Sequence, residues 1–201
     1  MYFKRRLPHL HPDVPGTGFL FITWRLAGSL PRTLGWMAKQ PVDHTDGKAF
    51  VAVDRQVDRA TFGPTWLRDV CVAQAVRDML LHGEANRNWY QLSAWVIMPN
   101  HVHILMQPQT TTSAITRWLK GSTARKANLI LHRTGQPFWQ DESYDRWVRN
   151  EGEWNRILRY IEHNPVTAGF VTTPEELPWS SASKAGESAC PTFSCTTPPT
   201  H

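Results

Sequence analysis

The apolar positions of this chain change period along its length, and those changes mark its elements. Phe19-Leu-Phe-Ile-Thr-Trp-Arg-Leu26 is a nearly unbroken, β-rich apolar run, which predicts a strand of the buried kind. Glycine and proline break the stretch from Gly28 to about Lys48 into loop, and the mixed charged and small apolar residues at 49–61 suit a short helix. Leu67, Val70, Cys71, Ala75, Met79 and Leu80 recur at helical spacing. They predict an amphipathic helix over 65–82 that enters through Pro64 and stops at Gly83. Trp89–Met98 predicts a second strand, and the Pro99-Asn100 corner turns it into a third, His101–Met106, as an adjacent antiparallel pair.

Pro108 closes that pair. From Thr111 to about His132 the pattern is helical again, with Ile115, Trp118, Leu119, Ser122 and Leu129 on one side. Gly135-Gln-Pro-Phe-Trp139-Gln reads as a turn before a short strand near Tyr144–Arg149. A third helix runs from Asn150 to Asn164, where Pro165 is expected to end it. The order β-α-β-β-α-β plus one helix specifies an α+β, ferredoxin-like split βαβ fold. It has a four-stranded antiparallel sheet, two helices on one face and an extra C-terminal helix.

Around this core the composition changes. Residues 1–16 are basic and rich in Pro and His, and read as a flexible arm. Residues 17–179 form one domain. Residues 180–201 hold Ser, Thr, Pro and two Cys without a period and are expected to be disordered. A formal net charge of +5 and a pI near 9.4 are compatible with a polyanionic partner. Ten tryptophans are many for 201 residues, and aromatics beside Arg and Lys are what unpaired bases stack on. Three cysteines (Cys71, Cys190, Cys195) lie outside any C-x-x-C pair, so a reducing cytoplasm and no disulfide framework are expected. The N-terminus has no apolar signal-peptide core, and no run approaches the ~20 apolar residues of a membrane helix. A cytoplasmic, nucleoid-associated protein with no membrane contact is the expectation.

The candidate chemistry begins at Trp95-Val-Ile-Met-Pro-Asn-His101-Val-His103-Ile-Leu-Met106. Residues i and i+2 of a strand share a face, so His101 and His103 point the same way. Two neighbouring imidazoles are a ready pair of metal ligands, although an H-x-H can equally be two ordinary histidines. On the third helix Trp154, Ile157, Leu158 and Ile161 make the core stripe, and Arg156, Tyr160 and Asn164 form a second stripe on its shoulder. Of the four tyrosines, Tyr160 combines a helix, a metal-capable side chain at i+4 and a cation at i−4. Tyr144, flanked by Ser143, Asp145 and Arg146, is its competitor as nucleophile.

Met98-Pro-Asn-His-Val-His-Ile-Leu-Met106, Phe138-Trp-Gln140, Arg159-Tyr-Ile-Glu-His-Asn-Pro-Val-Thr-Ala-Gly-Phe-Val171 and Pro178-Trp-Ser-Ser181 together resemble the IS200-like Y1 transposase family. The similarity extends to its REP-associated tyrosine transposase branch, which Phe21-Ile-Thr-Trp-Arg-Leu-Ala-Gly-Ser-Leu-Pro31 also fits. The resemblance covers about residues 17–182. It implies an HUH single-stranded DNA endonuclease with His101 and His103 as metal ligands and Tyr160 as nucleophile. The family's third ligand, a glutamine four residues after the tyrosine, falls on Asn164, one methylene shorter.

The implied activity is metal-dependent nicking and strand transfer on hairpin-forming repeats, through a 5′-phosphotyrosine link. Imidazole with amide oxygen suits Mg2+ or Mn2+, and zinc stays open. Lys4, Arg5, Arg6, Arg117, Lys120, Arg125, Lys126 and Arg156 are candidate phosphate contacts. Trp139 and Trp179 are candidate stacking platforms or core residues. A domesticated hairpin-binding protein that no longer cuts and a zinc-type hydrolase are the alternatives. The sequence also leaves open a monomer or a homodimer that exchanges its tyrosine helix.

Overall fold

The computed structural model describes residues 18–29 and 63–183. The arm with Lys4, Arg5 and Arg6, the helix expected at 49–61, most of the loop after Gly28 and all but the start of the tail lie outside the described residues. The elements are β1 (Leu20–Arg25), α1 (Val70–Ala85), β2 (Tyr90–Ile97), β3 (His101–Pro108), α2 (Thr112–Ile130), β4 (Tyr144–Trp147) and α3 (Glu151–Thr167). Sheet order is β2-β3-β1-β4, and every neighbouring pair is antiparallel. This is the split βαβ order expected from the sequence. No helix among the described residues is long and apolar enough to cross a membrane.

The central positions of β1 and β3 explain their unbroken apolar runs, because both faces of each are covered. Leu20, Ile22 and Trp24 join Val102, Ile104 and Met106 under α1 and α2. On the opposite face Phe21 and Leu105 meet Ala94, Val96 and Met98 of the β2 edge, and α3 packs over them through Trp154, Ile157, Leu158 and Ile161. The sheet is therefore sandwiched, and α3 has one face to itself. A bulge between Leu92 and Ala94 shifts the β2 register. It lets Tyr90 and Leu92 share a face with Trp95 and Ile97, which strict alternation forbids.

Several expected boundaries move, each for a local reason. The helix expected over 65–82 is split. A 3-10 turn occupies Trp66–Arg68, and α1 starts only after Asp69, whose carboxylate accepts from the Cys71 and Val72 N–H groups at 2.9 and 3.1 Å. Gly83 does not stop α1. It lies inside the helix because the Tyr90 ring and Trp118 pack against it where a Cβ would stand.

Pro165 does not end α3 either. Gly169 N–H donates to Val166 O and Phe170 N–H to Pro165 O, with Gly169 at φ +76°, so a Schellman motif ends the helix. The ordered unit also reaches Ser183 rather than closing at 179. Ser180 bridges to Val96, and Ser181 exchanges backbone and hydroxyl bonds with Trp95, which covers the outer edge of β2. Cys71 is disulfide-bonded, against the expectation of no disulfide framework; an odd cysteine count does not forbid one pair.

The Tyr90 hydroxyl donates to Leu80 O at 2.8 Å in the space that Gly83 leaves open. Gly83→Ala is expected to lower stability by roughly 1–3 kcal/mol, the usual cost of overpacking, despite alanine's better helix propensity. Urea denaturation checks this, and a more stable variant would show that the contact is soft.

Candidate functional site

His101 and His103 stand at the start of β3 with their side chains on the α3 side of the sheet, and both are fully buried. Their Nε2 atoms approach to 2.9 Å and their rings cross at 75°. The outer nitrogens are braced. His101 Nδ1 lies 2.7 Å from Asn100 Oδ1, and His103 Nδ1 lies 2.7 Å from Thr23 Oγ1 on the neighbouring strand. An amide oxygen only accepts, so in this orientation of Asn100 the Nδ1 of His101 is the donor. Burial first, and the neighbouring His101 second, hold His103 well below the usual imidazole range, so it is neutral at pH 7. Phe21 stacks on His103 at 5.7 Å and fixes its plane.

α3 closes over the pair. Asn164 is 2% exposed, and its Nδ2 lies 3.3 Å from His103 Nε2. A carboxamide turned about its last bond presents the oxygen at the same place. The Tyr160 ring sits 5.5 Å from the His103 ring and 6.3 Å from Phe21, and its buried hydroxyl has no hydrogen-bond partner among the described residues. Tyr144 shares this face, 6.2 Å from Phe21. Burial raises its pKa, opposed by the hydrogen bond and charge of Arg146.

These residues fit a divalent ion. The two Nε2 atoms, 2.9 Å apart, are close enough for one ion to take both as ligands. Among the described residues no three His, Cys, Asp or Glu come together to hold a metal, and the Asn164 amide lies beside the histidine pair.

Comparison with known proteins meets this geometry from a different direction. The family model described as "Transposase IS200 like" matches residues 66–164, which contain β2, β3, α2, β4 and the histidine, tyrosine and asparagine positions. Over those residues the chain is similar to the IS200-like transposase family. A Haemophilus influenzae protein named "Putative REP-associated tyrosine transposase" is 28% identical over 103 residues, spanning 46% of this chain and 58% of that relative. A solved REP-associated tyrosine transposase bound to a REP hairpin superposes with a TM-score of 0.50 at 20% identity. That match covers 90% of this chain and 82% of the other, and it bears on the fold.

In this IS200-like chain the remaining candidates scatter. Arg156 is exposed on α3. Arg117, Arg125 and Lys126 are exposed on α2, across the sheet from the histidines. Lys120 is a brace rather than a free phosphate contact: its ammonium donates to Gln140 O at 2.6 Å and Asp141 O at 2.7 Å. Trp139 is core rather than a stacking platform. It is 6% exposed, its Nε1 donates to Thr123 Oγ1 at 2.8 Å, and its ring meets Trp24 edge-on. Trp179 is half-buried beside the core, and its carbonyl accepts from Ile97 N–H.

The sequence gives no hint of three neighbours. Thr23 and Asn100 fix the imidazoles, and Arg25 pairs directly with His101 in register on the same face. Burial lowers the Arg25 pKa, opposed by Glu142, yet a guanidinium stays charged. Strand register, which depends on tertiary pairing, is the missing signal.

α3 is held to β4 by one buried carboxylate. Glu153 is 5% exposed, accepts from Arg149 N–H at 2.9 Å, and pairs with the Arg146 and Arg149 side chains. Burial alone would raise its pKa, but the Arg149 hydrogen bonds and both arginine charges outweigh that and the net shift is downward. A depressed folded pKa adds stability that is present above the unfolded value near 4.5 and lost as pH falls through the folded one. Thermal melts from pH 7 to 3 should therefore show wild type losing its advantage over Glu153→Gln below about pH 4.5; a constant difference would mean that the ion pairs contribute nothing.

Proposed function

We propose that this chain is a metal-dependent single-stranded DNA endonuclease and strand transferase that works through a 5′-phosphotyrosine link at hairpin-forming repeats. The observation that carries this reading is the convergence of two buried imidazole nitrogens 2.9 Å apart, with the Tyr160 ring 5.5 Å from the second imidazole. His101 and His103, with the Asn164 amide, would hold Mg2+ or Mn2+. Bound there, the ion neutralises charge on the scissile phosphate and orients its phosphorus. Similarity to the IS200-like transposase family over residues 66–164 supports the reaction class. The hairpin substrate is supported by the solved relative, which is bound to a REP hairpin.

The chain's own groups divide the work. Thr23 and Asn100 brace the outer nitrogens of the imidazoles, and with both Nδ1 atoms protonated each Nε2 would be available. Arg25 sets a fixed positive charge beside His101 for the phosphate oxygens. The Tyr160 oxygen attacks phosphorus in line. A P–O bond to the phenol forms as the bond to the 3′ oxygen breaks. The phenolic proton goes to solvent and the 3′ oxygen takes one up, leaving a 3′-hydroxyl and a 5′-phosphotyrosine. A 3′-hydroxyl reverses the step and joins strands, with no bond energy lost to hydrolysis. The strand must be unpaired at the cut, because the site is buried under α3.

One observation favours a second reading. The Tyr160 hydroxyl has no hydrogen-bonded base among the described residues, which would suit a hairpin-binding protein that does not cut. Incubation with labelled single-stranded hairpin DNA and Mn2+ separates the two. A covalent adduct is expected for wild type, mapping by mass spectrometry to the Tyr160 peptide. None is expected for Tyr160→Phe, His101→Ala or His103→Ala, all of which keep hairpin binding. Arg25→Gln should form adduct roughly a hundredfold more slowly, within the range for losing one oxyanion contact. Wild type that behaves like Tyr160→Phe without forming an adduct would overturn the enzyme reading. Cleavage that survives Tyr160→Phe would point to a zinc-type hydrolase, and an adduct on Tyr144 would move the nucleophile.

Asn100→Ala is expected to weaken Mn2+ binding about 10- to 100-fold by freeing the His101 tautomer. Calorimetry on the purified chain checks this. An unchanged affinity would mean that the amide is not orienting the ring.

A further inference from the structure

A concave feature lies near the histidines and has no role in the reaction above. It is a cleft of about 210 Å³ whose walls include Leu67, Arg68, Met98, Phe170, Leu177 and Trp179. Two elements turn aromatic side chains into it. The Schellman motif that ends α3 sets Phe170 just past the helix, and the strand-like segment that bridges to β2 brings Trp179 alongside Ile97. Arg68, exposed at the mouth, lies with its guanidinium carbon 5.5 Å from the Phe170 ring centre. The wall at Met98 is the cross-strand neighbour of a histidine, since Met98 N–H donates to His101 O at 2.9 Å. One wall residue of the cleft, Met98, is therefore about one strand spacing, ~5 Å, from His101 at the start of β3.

We propose that this cleft binds one unpaired nucleobase of single-stranded DNA, that of a nucleotide adjoining the phosphate held at the histidine pair. The proposal rests on the DNA reading above and adds where the strand is read. Size limits the occupant, because 210 Å³ falls below the ~300–1,000 Å³ of clefts that take drug-sized molecules and suits a single flat ring system. Chemistry selects within that limit. Two aromatic rings offer stacking faces, and a guanidinium beside one of them adds a cation–π contact and a fork of donors with no acceptor. An apolar side chain would fill the volume and leave Arg68 with nothing to bind. A nucleobase stacks on the rings and turns acceptor atoms toward Arg68.

The test uses the full chain and single-stranded hairpin-flank oligonucleotides with 5-iodouracil placed at successive positions. Photocrosslinking is expected to join one position next to the cleavage site to the peptide holding Phe170 or Trp179. The double variant Arg68→Ala/Phe170→Leu should bind the unmodified oligonucleotide roughly five- to a hundredfold more weakly, the range for losing one stacked base. An abasic residue at the crosslinked position should weaken wild type by a similar factor and leave the double variant unaffected. If Phe170→Leu fails to fold by circular dichroism, the exposed Arg68→Ala carries the comparison alone. Wild type and variants binding equally, or a crosslink mapping away from the cleft, would overturn the base site and leave the DNA reading intact. Wild type that binds no single-stranded DNA would remove the DNA reading and the base site together.

Discussion

Everything at the site depends on two imidazole nitrogens being held 2.9 Å apart where water does not reach. Such an arrangement is costly without bracing, because burial penalises charge on either ring. The fold offsets the cost from several directions. The adjacent strand β1 provides both a hydroxyl for His103 and a stacked ring from Phe21, while the β2–β3 corner provides an amide for His101. That corner is itself fixed, since Pro99 O and Asn100 O accept from Leu67 and Leu26 N–H groups. A central strand in a four-stranded sheet is the rigid mount that such a geometry needs.

The second requirement is that α3 sit firmly on the face the histidines occupy. Its apolar stripe provides the burial, and Glu153 with Arg146 and Arg149 fixes its first turn to the end of β4. A single removable carboxylate thus couples the sheet that carries the histidines to the helix that carries Tyr160 and Asn164. The two ends of α3 do different work. The N-terminal turn is fastened by charge, and the C-terminal turn is closed by backbone bonds that also set Phe170 at the neighbouring cleft. Docking the helix therefore shapes the histidine site and the cleft together.

How much of this was legible in the sequence follows from how local each signal is. Helix and strand periods, the H-x-H pair and the Arg156-Tyr160-Asn164 stripe are local patterns, and they gave the fold and two of the site's elements. The bulge in β2, the packing role of Gly83 and the Lys120 brace are tertiary. Gly83 looks like a stop signal until the Tyr90 hydroxyl is seen in its place. Trp139 next to a glutamine looks like a stacking residue until its Nε1 is found bonded to Thr123. Arg25 was readable only as one member of an apolar run, because nothing in the chain says that residue 25 will face residue 101.

Pro165 shows most clearly where local rules are overridden, and it bears on the third ligand. A proline after Asn164 should free that residue from the helix, leaving a short side chain at a frayed end with doubtful reach. Instead the helix runs on for part of a turn, the Asn164 carbonyl accepts from Ala168 N–H at 2.9 Å, and Gly169 provides the true stop. Asn164 is thereby a fixed interior position, and Ile161 one turn earlier is fully buried against the sheet. The distance from α3 to β3 is set by that contact and by the side chains around it, not by the length of the amide. With the helix seated this closely, the Asn164 amide already stands 3.3 Å from His103 Nε2. A side chain one methylene shorter than glutamine thus still touches His103 from its backbone position.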